Sequence, residues 1–181
     1  GTLYEKVTDK DGKVSKKQLL DADGNPVSAE TEFVPDDTYG TVDVTFAFDA
    51  SDLKAKDKVV AFESLSLNGK ELASHADIED KSQTVTITKP EVGTTAKDGF
   101  DGNQTVVSDT EVSVVDTVKY KNVTPGKTYK VSGTLYEKVT DKDGKVTKKQ
   151  LLDADGNPVS AETEFVPDDT YGTVDVTFTF D

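Results

Sequence analysis

The chain has 181 residues, with 35 acidic side chains against 21 basic ones, a net charge of −14, and Lys as its only basic residue type apart from one His. A strongly anionic chain without Arg excludes nucleic acid and anionic membranes as natural partners, since both demand cationic stripes. Cys is absent, which rules out disulfides, zinc–thiolate centres and cysteine nucleophiles, and no apolar run nears the roughly 18 residues of a membrane span.

Thr and Val are the abundant types, 24 of each, and both are β-branched residues that suit strands. In chain order, TLYEKVT (2–8) and KVSKKQLL (13–20) flank DKDG, a hairpin turn in which Asp-Gly supplies positive φ. A second turn cluster, DADGNP (21–26), leads into VSAETEFV (27–34) and GTVDVTFAF (40–48). In the latter, Val42, Val44, Phe46 and Phe48 alternate with Thr41, Asp43, Thr45 and Ala47. Further strands are predicted at KVVAFESL (58–65), QTVTIT (83–88), EVSVVDTVKY (111–120) and KTYKVSGTLYEKV (127–139). Short strands separated by Gly and Pro turns predict an all-β fold, an immunoglobulin-like antiparallel β-sandwich. DKDGK and DADGNP lack the spaced ligands and distal Glu of a calcium loop and read as hairpin turns, so neither a metal nor a cofactor is expected.

The chain repeats itself. Gly1–Asp49 and Gly133–Asp181 match at 47 of 49 positions, differing only in Thr147 for Ser15 and Thr179 for Ala47. Gly133 stands 132 positions after Gly1, a period far beyond a solenoid unit, so each period is expected to be a whole domain of a tandem array. Neither copy is complete: the first has no counterpart of 89–132, the second none of 50–88. The boundary is expected at Lys89-Pro90, where proline ends the preceding strand. Residues 1–88 are then the C-terminal two-thirds of one repeat, and 89–181 the N-terminal two-thirds of the next.

Polar residues occupy apolar phases. Residues of one parity share a strand face, so Asp116 joins Val112, Val114, Val118 and Tyr120, and Glu63 joins Val59, Ala61 and Leu65. Gln83 shares the face of Val85 and Ile87, and Thr94 that of Val92 and Ala96, whereas Thr95 points the other way. Burying an unpaired amide or hydroxyl costs roughly 2–7 kcal/mol against an apolar reference, so these groups should partner one another. His75, the only imidazole, stands eight residues before Gln83. The chemistry open to Thr, Gln, His and two carboxyls is acyl transfer: the hydroxyl attacks the carboxamide, histidine serves as base, ammonia leaves, and two close carboxyls share a proton.

VVAFE, then His-x7-Gln with Gln83 opening QTVTITKP, then PEVGTTA, then VVDTVKYKNVTPGKTYKVSGTLYEK, together resemble the ester-bond stalk domain of Gram-positive surface adhesins, the VaFE repeat. The resemblance spans nearly the whole period. It implies a cell-wall-anchored extracellular module whose first and last strands are joined by a self-formed Thr–Gln ester, in autocatalysis without turnover. It also implies Thr94 as nucleophile, Gln83 as acyl donor, His75 as base and Asp116 with Glu63 as the acidic pair. A Lys–Asn isopeptide stalk domain and a non-covalent ligand-binding adhesin module are the alternatives. The order departs from a single domain, because Glu63, His75 and Gln83 precede Thr94 and Asp116. The five residues therefore belong to two successive repeats. The partners expected are neighbouring repeats or other copies of the chain, with any host ligand bound elsewhere in the full protein. With about 3.3 Å of reach per residue, ten residues leave little chain for Thr94 to return to Gln83, so complementation between molecules is expected over closure within one.

Overall fold

The computed structural model describes residues 1–180 and contains twelve β-strands, with no helix among the described residues. Every strand pair is antiparallel, and the class is the all-β, immunoglobulin-like one that the Thr- and Val-rich composition favours. The chain divides into two compact units, Gly1–Lys89 and Pro90–Asp181.

The first unit holds β1 (Thr2–Thr8), β2 (Val14–Gln18), β3 (Lys58–Leu67), β4 (Lys70–His75) and β5 (Thr84–Thr86). The order across the sheet is β2-β1-β3-β4, and β5 takes over the edge of β3 where β4 leaves it. Gly12 at φ +81° completes the DKDG turn between β1 and β2, with Asp9 Oδ1 accepting from the Asp11 and Lys13 backbone N–H groups at 2.9 Å. Such an Asx turn needs only local residues. Leu3, Leu19, Val27, Leu53 and Val59 form the core, with Phe46, Phe48, Ala61 and Ile87 packed against it. A fully buried aliphatic side chain of this size contributes roughly 1.5–3 kcal/mol relative to exposure.

The second unit holds β6 (Glu91–Asp98), β7 (Val112–Lys121), β8 (Tyr129–Thr134), β9 (Tyr136–Thr140), β10 (Val146–Gln150), β11 (Ser160–Phe165) and β12 (Tyr171–Phe180). Strands β12-β7-β6 form one sheet, β11 pairs with β8, and β10 with β9. Val118, Val159, Val176 and Phe178 are its buried centre, flanked by Leu135, Leu151 and Phe180.

The duplicated sequence folds alike in its first part and differently in its second. Leu3 N–H donates to Val27 O at 2.9 Å, and Leu135 N–H donates to Val159 O at the same distance; the β1–β2 and β9–β10 hairpins share the same turn bonds. The sequence predicts strands at 27–34 and 40–48, but 29–48 is not strand, whereas the matching residues form β11 and β12. The reason is a missing partner. Strands β11 and β12 are paired by β8 and β7; all of β7, and β8 up to residue 132, lie in the part of the period that the first copy lacks, and a strand without a ladder leaves its backbone groups to water. Only the Thr2↔Ser28 bridge remains of that pairing. Strand β4 is not among the predicted strands, although Asn68-Gly69 (φ 52° and 76°) is a two-residue turn that announces it.

Candidate functional site

Within the first unit, three of the singled-out residues meet where β4 gives way to β5. Glu63 on β3 stands directly opposite His75 on β4, so both project from one sheet face. The backbone of Gln83 bonds β3 through Ala61 N–H at 3.0 Å, which puts Gln83 on that face too, in phase with Val85 opposite the fully buried Val59. Gln83 and Glu63 are half-buried, and the His75 side chain is exposed.

The loop between His75 and Gln83 is closed by its own polar groups. Gln83 Nε2 donates to the His75 carbonyl at 2.8 Å, and the Asp77 backbone N–H donates to Gln83 Oε1 at 3.4 Å. The carboxamide is thus held at both ends, and the Asp77 N–H faces the oxygen on which negative charge would develop under nucleophilic attack. His75 Nε2 lies 2.9 Å from Asp80 Oδ2. Asp80 itself is held below the usual carboxylate range, first by the hydroxyl and backbone N–H of Ser82, each at 2.7 Å, and then by the imidazole. Asp80 was missed in the sequence because an acid five residues after a histidine in an acidic loop carries no signal by spacing alone. A base oriented by a carboxylate is nevertheless the arrangement that proton transfer favours.

Within the second unit, Thr94 and Asp116 share a face. Thr94 is in register with Val118, and Ala96 with Asp116, making Thr94 and Asp116 diagonal neighbours on β6 and β7. Thr95 opposes Thr117 on the other face. Thr94 stands on an edge strand and is exposed, as is Val92 beside it at 69 %. Asp116 is flanked by Ala96 and Val176, and its Oδ1 is buried with no hydrogen-bond partner among the described residues. An unsatisfied buried acceptor costs about 1–3 kcal/mol.

Each unit thus holds part of the acyl-transfer set: carboxamide, imidazole and one acid in the first, hydroxyl and the other acid in the second. The expectation that all four polar groups point into a core holds for phase but not for burial. Glu63, Gln83 and Asp116 are half-buried and Thr94 is exposed. Among the described residues no cluster of His, Asp and Glu is arranged to hold a metal ion.

The model of the family described as T-Q ester bond containing domain matches the chain twice, over residues 1–87 and 90–181. No curated protein and no solved structure matches.

Proposed function

The chain belongs to the T-Q ester bond containing domain family, and on that footing we propose that it is a structural stalk module of a bacterial cell-surface adhesin, stapled by a self-formed ester between a threonine and a glutamine. The gathering of Gln83, His75 and Glu63 at one strand junction, in a chain that the family spans almost end to end, carries this reading.

In the proposed step the Thr94 hydroxyl attacks the side-chain carbonyl carbon of Gln83. The Oγ–Cδ bond forms, the Cδ–Nε2 bond breaks, and the hydroxyl proton leaves with the amide nitrogen as ammonia. Neutral His75, steered by Asp80, takes the proton and returns it to the leaving nitrogen. Asp116 and Glu63 cannot both ionise at close range, so the protonated one donates a hydrogen bond to the developing oxyanion. The cross-link forms once and turns nothing over, so the protein is not an enzyme toward any external substrate.

A module on the cell surface carries tension from one terminus to the other. In natural repeat order the ester would close a loop of about 121 residues, worth roughly 4–5 kcal/mol by the cross-link estimate for loops of that size. The −14 charge keeps a long array from associating sideways. Intact mass tests the reading: loss of one ammonia per cross-link is expected, and hydroxylamine should then open the ester by adding across it, leaving Gln83 as a hydroxamate one oxygen heavier than the original carboxamide and the threonine hydroxyl free. A mass deficit that survives hydroxylamine would identify an isopeptide instead.

A further inference from the structure

The duplicated sequence shows what covers the first unit. In the second unit Phe165 packs on Tyr120, with ring centroids 4.9 Å apart, and on Tyr129 at 6.0 Å. Its duplicate Phe33 is 48 % exposed. Val176 and Phe178, on the strand paired with β7, are buried, whereas their duplicates Val44 and Phe46 are only half-buried. The segment that carries these residues nevertheless keeps one bond of its duplicate. Thr31 Oγ1 donates to Asp43 O at 3.0 Å, as Thr163 does to Asp175, and Phe46 and Phe48 already rest on the core. Residues 28–48 thus keep one cross-segment bond and two core contacts of β11 and β12 without the strands that pair them.

We propose that the occupant is a second copy of this chain, whose strands β6, β7 and β8 dock on residues 28–48 of the first copy in the register that they make with β11 and β12. Asp116 would then oppose Val44, Tyr120 and Tyr129 would cover Phe33, and Lys130 would meet Glu30 as it meets Glu162 at 2.7 Å. The donor must release its own 160–180, a segment that differs from 28–48 only in Thr179 for Ala47. What is given up is thus nearly identical to what is gained. The surplus is apolar surface that both units leave open: Val85 beside Gln83 is 58 % exposed, and Val92 beside Thr94 is 69 % exposed. Docking would cover both, set Glu63 against the orphaned Asp116 Oδ1, and bring Thr94 to Gln83. The covalent step rests on the ester reading above, with Thr94 Oγ of one molecule bonding Gln83 Cδ of the other and ammonia leaving. Two chains of charge −14 repel, so association should strengthen as salt screens them.

The test mixes two variants of the 181-residue chain, Thr94→Ala and Gln83→Ala, each of which runs as a monomer on denaturing electrophoresis because it cannot form the ester with its own copies. Only one reactive pair exists in the mixture, so denaturing electrophoresis should show a dimer and nothing larger, removed by hydroxylamine. The unmutated chain should give a ladder that lengthens with protein concentration. Because neither substitution touches β7, β8 or residues 28–48, amide exchange should show protection of residues 41–48 that grows with protein concentration in each variant and in the mixture. A dimer in native chromatography that falls apart on denaturation would keep the docking and overturn the ester. An unmutated chain that loses one ammonia yet stays monomeric at every concentration would keep the ester and overturn the docking. A mixture monomeric by both methods, with 41–48 unprotected, also overturns the docking.

Discussion

Gln83 donates its side-chain amide to the carbonyl of His75 across eight residues, at 2.8 Å, so the proposed acyl donor and the proposed base are tied by a bond that exists before any reaction. The leaving group of the ester-forming step is thereby the same nitrogen that closes the loop. Gln83→Glu retains the carbonyl carbon but removes both that donor and the leaving amine. The variant is expected to show no ammonia loss and to lose about 1 kcal/mol of stability, the typical worth of one hydrogen bond. Intact mass and urea unfolding check the two halves separately.

Asp80 links the loop to pH. Its carboxyl is held below its ordinary value by Ser82 and then His75. A carboxylate with a depressed folded pKa contributes stability that is present above its unfolded pKa and is lost as pH falls through the folded one. Protection of the Ser82 backbone amide, bonded to Asp80 at 2.7 Å, measured against its intrinsic exchange rate, should therefore be lost only in acid, below the ordinary carboxylate range. In Asp80→Asn that acid-side step should vanish, and ester formation should slow at every pH while Thr94→Ala still abolishes it.

Asp116 opposes function to stability. Its Oδ1 is buried without a hydrogen-bond partner among the described residues, and replacing such a group by an apolar side chain of similar volume removes a penalty. Asp116→Val should raise the stability of the second unit by about 1–2 kcal/mol, and thermal unfolding measures it. The same change should eliminate the cross-link.

The duplicate phenylalanines offer a comparison at fixed chemistry. Phe165→Ala removes a ring packed on Tyr120 and Tyr129 and should cost about 2 kcal/mol, below the 3–5 kcal/mol of fully buried aromatics. Phe33→Ala, at a 48 % exposed ring, should cost under about 1 kcal/mol in dilute monomer. Denaturant titrations of both variants at low concentration decide this.

Much of the site was legible as phase. Parity set Thr94 apart from Thr95 and placed Asp116 with Val118, and the strand register of β6 and β7 carries the same assignment, because alternation along a strand is a property of the backbone alone. Asp80 was not legible, since its approach to His75 depends on how the loop 76–82 closes. Nor was the exposure of Thr94: phase names the face, but burial needs another layer over it.

Gly1–Phe48 and Gly133–Phe180 separate local from tertiary control on nearly the same letters. In both, Asp-Gly turns bonded through Asp9 and Asp141 build the same hairpin, because every group that shapes it lies within a few residues. Whether 28–48 becomes strand was decided elsewhere in the molecule. Its backbone N–H and C=O groups find a ladder only where β7 and β8 are present to supply one. Turn geometry is written in the chain, but a sheet belongs to both of the strands that share it.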